Sequence, residues 1–224
     1  MHLEILSPEQ AAILPFIKKY VKPYYLVGGT AVALHIGHRK SIDFDLFTDE
    51  KVNVILLKKQ VLTSRFLSHV IHQDIDQIHF TINGVKLTFY KYPFKIPAAI
   101  FHDNYFRIPD LLTLAAMKAF ALGGRGKWKD YVDLYFLLKY HFTVREISAK
   151  AKELFTEAFN PILFYKQLCY FKDINFDEPV EFMTGFEVSE EEVKTFLTDA
   201  ALTGFSYLKG GQAISKNLTG IKIM

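Results

Sequence analysis

Apolar and polar positions change period twice along this chain. From Ser7 to Val21 the residues Ala12, Ile13, Phe16, Ile17 and Tyr20 recur at helical spacing, with Ser7 placed as N-cap, Pro8 at the first helical position and Gln10 three residues on. That pattern predicts an amphipathic helix covering a sheet, ended by Pro23. From Tyr24 the period shortens. A strand over Tyr24 to Val27 is followed by the pair Gly28-Gly29, a short helix from Thr30 to about Ile36, a basic loop of His38, Arg39 and Lys40, and a second strand from Ser41 to Phe47. In that strand Ile42, Phe44 and Leu46 are expected on one face, Asp43 and Asp45 on the other. A helix over Val52 to Leu62 comes next, then strands over Phe66 to Ile71, Gln77 to Ile82 and Val85 to Tyr90. Asn83-Gly84 between the last two is the signal of a type I′ hairpin, which would extend the sheet begun at Tyr24.

From Asp110 the helical period takes over. Leu111, Leu112, Leu114, Ala115, Met117, Ala119, Phe120, Ala121 and Leu122 make the first helix apolar almost all round, as a buried helix is, with Lys118 its single charge. Gly123-Gly124 closes it. The next, Lys127 to Tyr140, carries Asp130 and Asp133 at i, i+3 on one side and Tyr131, Leu134, Tyr135 and Leu138 on another. Further helices are predicted over Val144 to Phe159, Pro161 to Phe171 and Ser189 to Tyr207, the last with a Ser189/Glu192 capping box, and a loop over Phe171 to Gly185. The expected class is α+β: a small mixed sheet flanked by helices in residues 1–106, then a helical half in residues 107–224.

Composition narrows the class. Half of the 224 residues are hydrophobic and 23% are charged, and 21 Phe with 12 Tyr support a sizeable core. No apolar run approaches the ~18 to 20 residues of a membrane span, and MHLEILSPEQ lacks the layout of a signal peptide, so a cytoplasmic protein without membrane contact is expected. The single cysteine, Cys169, leaves no internal disulfide and no thiolate zinc cluster; its apolar neighbours predict a buried thiol. A net charge of +3 is too small to announce a nucleic-acid binder.

Candidate chemistry gathers around the first two strands. Two carboxylates two residues apart on a strand lie about 6 to 7 Å from each other and repel unless a cation sits between them. Hard oxygen donors of this kind suit Mg²⁺ (or Mn²⁺), which completes its shell with substrate phosphates. The glycines let backbone N–H groups approach a polyphosphate, the helix that follows adds its positive end, and Thr30 can cap that helix or bind a phosphate oxygen. His69, His72, Asp74, Asp76 and His79 crowd together farther on, but no glycine turn and helix precede them, so they read as a polar edge or turn ahead of a second metal site. Lys118 reads two ways, as a cation bordering a polar cleft or as a snorkelling surface lysine.

Strand, GG-Thr, helix, then Asp-apolar-Asp-apolar resembles the nucleotidyltransferase superfamily related to DNA polymerase beta. The wording GGTAVALHIGHRKSIDFDLF is similar to one branch, the abortive-infection AbiEii-type nucleotidyltransferase toxins, and the block KAFALGGRGKWKDYVDLYFLL resembles that branch's second signature. The resemblance implies Mg²⁺-dependent transfer of a nucleoside monophosphate from an NTP to RNA such as tRNA. It also implies the role of toxin in a toxin–antitoxin or phage-defence system, with an antitoxin encoded nearby that need not touch this chain. On this reading Asp43 and Asp45 hold the metal, and Gly28, Gly29, Thr30, Arg39 and Ser41 border the nucleotide. Lys118, Arg125 and Lys127 steady the triphosphate, and the block from Lys118 to Asp130 is expected within about 10 Å of the acid pair. Asp130 becomes a further acidic catalytic residue; alternatively it is a carboxylate on its helix dipole. Two other functions stay open: a non-catalytic nucleotide- or RNA-binding protein, and a transferase acting on a protein or small molecule. One departure stands out. The superfamily commonly places a third carboxylate on a later strand, where this chain has Thr88 or Lys86; Asp130 substitutes, only one metal is held firmly, or catalysis is impaired.

Overall fold

The computed structural model describes residues 1–20, 22–97, 100–102, 105–124 and 126–218, with the backbone course alone for 100–102 and 207–218. Its elements in chain order are α1 (Pro8–Ile17), β1 (Tyr25–Val27), α2 (Gly28–Ile36), β2 (Asp43–Thr48), α3 (Val54–Leu62), β3 (Ser68–Gln73), β4 (Gln77–Ile82), β5 (Val85–Lys91), β6 (Ile100–His102) and β7 (Phe106–Ile108). The helices α4 (Leu111–Leu122), α5 (Trp128–Tyr140), α6 (Val144–Phe155), α7 (Pro161–Leu168) and α8 (Glu190–Leu218) follow.

The sheet is mixed, in the order β1-β2-β5-β4-β3. Its one parallel pair is β2 with β5; β1 runs antiparallel to β2, and β4 runs antiparallel to both β5 and β3. One face is packed with Leu26, Phe44, Leu46, Ile78, Phe80, Leu87 and Phe89, all buried. The hairpin turn is of the kind the sequence predicts: Asn83 and Gly84 both take positive φ, 49° and 82°, so β4 and β5 pair without offset from Ile82↔Val85 onward. The alternation along β2 follows the same rule, Phe44 and Leu46 buried and Asp43 and Asp45 half-buried on the opposite face. Ile42 departs from it. It precedes the strand and is 60% exposed, because the chain enters the sheet only at Asp43. The short pair β6 and β7, antiparallel, was not expected.

Local signals account for the helix starts. Ser7 accepts from the Gln10 N–H and the Gln10 side chain returns to Ser7, a complete capping box. Asp110 accepts from the Thr113 N–H at 2.8 Å and starts α4. At α8 only half of the expected box forms: Ser189 accepts from the Glu192 N–H at 3.1 Å. The Glu192 carboxylate instead takes the Tyr135 hydroxyl at 2.5 Å and Lys139 at 2.8 Å. Cys169 is exposed, not buried: it ends α7 as C-cap, where its apolar sequence neighbours do not enclose it.

Two compact units result, Met1–Ala115 with Pro179–Glu187, and Ala116–Glu178 with the chain from Val188. Among the described residues no helix is long and apolar enough to cross a membrane.

Candidate active site

In the first unit the site begins where β1 turns into α2. Gly28 has φ +74°, a conformation that L side chains rarely adopt, and a Cβ there would sit 2.5 Å from Asp45 Oδ2. Glycine is therefore required twice over, for the turn and for the carboxylate lying against the backbone. A Cβ on Gly29 would collide with the Arg39 guanidinium and stand 3.4 Å from Ser41 Oγ. Thr30 does not cap α2, as one reading had it; the helix already starts at Gly28 after Val27, and no side chain caps it. The Thr30 hydroxyl donates to the Asp43 carbonyl oxygen and pairs with Ser41 Oγ at 2.8 Å. This pins the entry of β2 to the first turn of α2.

Arg39 is 1% exposed and donates through Nη1 to the Lys40 carbonyl oxygen at 2.9 Å. The loop that carries it is held by chain from much later in sequence: Lys40 N–H donates to Glu181 O at 2.8 Å, Met183 N–H donates to His38 O at 3.0 Å, and the Lys40 ammonium pairs with the Glu181 carboxylate. Gly28, Gly29, Thr30, Arg39, Ser41, Asp43 and Asp45 are thus brought together within one unit.

Across the sheet from the acids, Thr88 pairs in register with Asp45 and Lys86 with Asp43. Thr88 therefore lies level with Asp45 on the neighbouring strand. Its hydroxyl is 3.2 Å from His79 Nδ1 on β4, and His79 Nε2 is 3.1 Å from Gln77 Oε1. Burial, with the nearby charges of Lys86 and His72, holds His79 below the usual imidazole range. His79 is a residue whose connection to the acids the sequence reading missed. The signal was present, since a two-residue turn at Asn83-Gly84 necessarily sets His79 opposite Thr88. Its companions spread along an edge strand and turn: Asp74 accepts from the Ile75 N–H and Asp76 pairs with Lys91 at 3.7 Å. Among the described residues no three His, Cys, Asp or Glu side chains are grouped to hold a metal.

The second unit holds the other charged set. Lys118, from α4, is 5% exposed, and its ammonium lies 2.5 Å from Asp130 and 2.7 Å from Asp133, both on α5 and exposed by 2% and 0%. It does not snorkel; the i, i+3 acids face it. Asp130 is likewise more than a carboxylate on the helix dipole. Lys127 and Lys129 both reach Glu178 at 2.7 Å, and hydrogen bonds from first Lys127 and then Lys129 pull its carboxyl down to about 2. Trp128 stacks on Phe176 at 5.3 Å beside this clasp. Arg125 lies outside the described residues.

As donors for a metal, Asp43 and Asp45 fit a hard divalent cation: two carboxylates on one sheet face, beside a helix start whose first N–H groups no side chain caps. Two protein donors suit Mg²⁺ or Mn²⁺, which draw the rest of their shell from phosphate and water.

No protein-family profile matches the sequence. The chain is 32% identical over 180 residues to the uncharacterised protein aq_aa25 of Aquifex aeolicus, covering 77% of this chain and 84% of that one. Among solved structures it is similar to a candidate nucleotidyltransferase from H. pylori (TM-score 0.57, 18% identity, 91% of this chain and 98% of that one). It is also similar to JHP933 from Helicobacter pylori (0.56, 18%, 96% and 99%). A third likeness is to MenT4, a nucleotidyltransferase toxin of Mycobacterium tuberculosis (0.58, 11%, 81% and 75%). These likenesses show the fold, a mixed-sheet α+β nucleotidyltransferase fold.

Proposed function

The chain belongs to the family of Aquifex aeolicus aq_aa25, and from that premise we propose that it is a nucleotidyltransferase that moves a nucleoside monophosphate from an NTP to an RNA acceptor such as tRNA. The observation that carries this is the approach of the Asp45 carboxylate to the backbone of Gly28, with Asp43 on the same face of β2. It supports a site where phosphate meets backbone N–H groups and acids together, which a solvated acidic face does not need.

Asp43 and Asp45 would hold Mg²⁺ or Mn²⁺, which when bound neutralises phosphate charge and favours attack on the α-phosphorus. Gly28, Gly29 and the first turn of α2 receive phosphate oxygens, and Arg39 buttresses that turn from beneath Gly29. The resemblance assigns Lys118, Arg125 and Lys127 to the triphosphate and an acidic catalytic role to Asp130. The toxin role, the AbiEii-type assignment and an antitoxin encoded nearby come from the resemblance in GGTAVALHIGHRKSIDFDLF; MenT4, whose fold is similar, is itself a nucleotidyltransferase toxin.

The test is incubation of the protein with each α-labelled NTP, Mg²⁺ and total tRNA, scoring label on RNA and released pyrophosphate. Transfer by the wild-type protein and its loss in Asp43→Asn with Asp45→Asn is the expected result. Equal transfer in the double variant would refute the site. Thr88 in the carboxylate position favours a second reading, nucleotide binding without turnover. That reading gives metal-dependent NTP binding and no pyrophosphate.

A further inference from the structure

Three neighbouring strands place Asp45, Thr88 and His79 in one row across the polar face of the sheet, since Asp45 pairs with Thr88 and Thr88 with His79. Adjacent strands lie about 4.8 Å apart, a span that one hydroxyl can cover with a hydrogen bond of about 2.7 Å to either side. One tautomer of His79 makes both of its hydrogen bonds in the row. Gln77 Oε1 can only accept, so His79 Nε2 carries the proton, and Nδ1, 3.2 Å from Thr88 Oγ1, accepts the Thr88 hydroxyl hydrogen. With its own hydrogen committed to His79, Thr88 Oγ1 keeps its lone pairs to accept from a second hydroxyl.

We propose that Thr88 and His79 together replace the missing strand carboxylate, carrying away the proton of the attacking hydroxyl. The inference rests on the nucleotidyl-transfer reading above. The acceptor O–H gives its proton to Thr88 Oγ1 as the Thr88 hydroxyl proton passes to His79 Nδ1. The acceptor oxygen forms its bond to the α-phosphorus, the α–β bridging P–O bond breaks, and pyrophosphate leaves with that electron pair. Thr88 is the group that meets the acceptor; His79 acts through it. The charged and titratable neighbours of His79 are Lys86 from β5 and His72 from β3, whose ring centroid is 5.5 Å away. With burial, both keep the resting imidazole neutral and ready to accept a proton.

The experiment is the rate of label transfer from α-labelled NTP to tRNA between pH 5 and 9, at fixed Mg²⁺, for wild type, H79N, T88V, T88D, T88D with H79N, and D45N. Asn at position 79 can still accept the Thr88 hydrogen bond but cannot take the proton, which separates basicity from placement. Wild type should gain rate as pH rises through an inflection below 6.5, the ordinary imidazole value. H79N and T88V should each lose about 100-fold and the inflection with it, the usual scale of a general base. T88D restores a carboxylate, so adding H79N to it should change the rate less than about threefold, against about 100-fold in the Thr88 background. H79N with wild-type rate and inflection overturns the relay and leaves nucleotidyl transfer standing. Undiminished transfer by D45N, or none by wild type with every NTP, overturns the function and the relay with it.

Discussion

Replacing Lys118 by methionine tests the charged set of the second unit most directly. Methionine fills nearly the same space and removes the ammonium that lies against Asp130 and Asp133, which are buried at 2% and 0% exposure. Removing one partner of a buried ion pair costs about 3 to 5 kcal/mol, because the remaining charge loses a contact that water does not replace. Two hydrogen-bonded contacts, at 2.5 and 2.7 Å, are lost together, which places this case toward the upper end. In a chain of this length each kcal/mol lowers Tm by about 2 to 4 °C, so about 4 to 5 kcal/mol gives an expected fall of roughly 8 to 20 °C in a calorimetric melt at pH 7. The variant K118M/D130N/D133N removes every charge of the set and should regain at least half of that loss, although it lacks more of the native groups. A K118M melt within about 2 °C of wild type would refute the reasoning, since the ammonium would then contribute no more than an exposed pair.

Gly28→Ala and Gly84→Ala make a matched pair, because both glycines have positive φ, +74° and +82°, but a Cβ meets Asp45 at the first and nothing within 4 Å at the second. Both should lose about 1 to 2 kcal/mol in denaturant titrations. Only Gly28→Ala should weaken Mg²⁺-dependent NTP binding, by about 10-fold or more, as Asp45 is displaced by more than the ~0.5 Å a preorganised site tolerates; equal binding in the two would refute the approach of Asp45 to the turn. For Glu178, whose carboxyl is depressed to about 2 from an ordinary 4.5, the clasp to Lys127 and Lys129 stabilises the fold above pH 4.5 and fades as pH falls toward 2. The melting difference between wild type and Glu178→Gln should therefore be constant at neutral pH and vanish on acidification; a difference that persists at pH 2 contradicts it.

What was legible in the sequence was whatever repeats within a few residues. The alternation of β2, the Asn83-Gly84 turn, the Ser7 capping box and the GG-Thr start of α2 are local rules, and the structure keeps them with shifts of a residue or two. Pairing across distance was not legible. Asp130 and Asp133 showed one shared side of a helix, yet nothing in their spacing says that Lys118 lies opposite them. Ile42 fits the alternation in sequence only, since it falls before the sheet begins and is exposed, and Cys169 sits among apolar neighbours at a helix end that leaves it exposed. The strands β6 and β7, three residues each, are too short to show a period.

The segment Pro179–Glu187 belongs with the first unit although the chain on either side of it belongs with the second. A gene fragment ending near residue 115 would therefore encode the acids and glycines but not the strip of backbone that hydrogen-bonds His38 and Lys40. Inheritance of the two halves is tied for the same reason. Recombination that swapped the helical half for another would take away the partner of the Arg39 loop unless it kept residues 179–187. A graft that kept 179–187 while replacing the helices on both sides would leave that loop its partner.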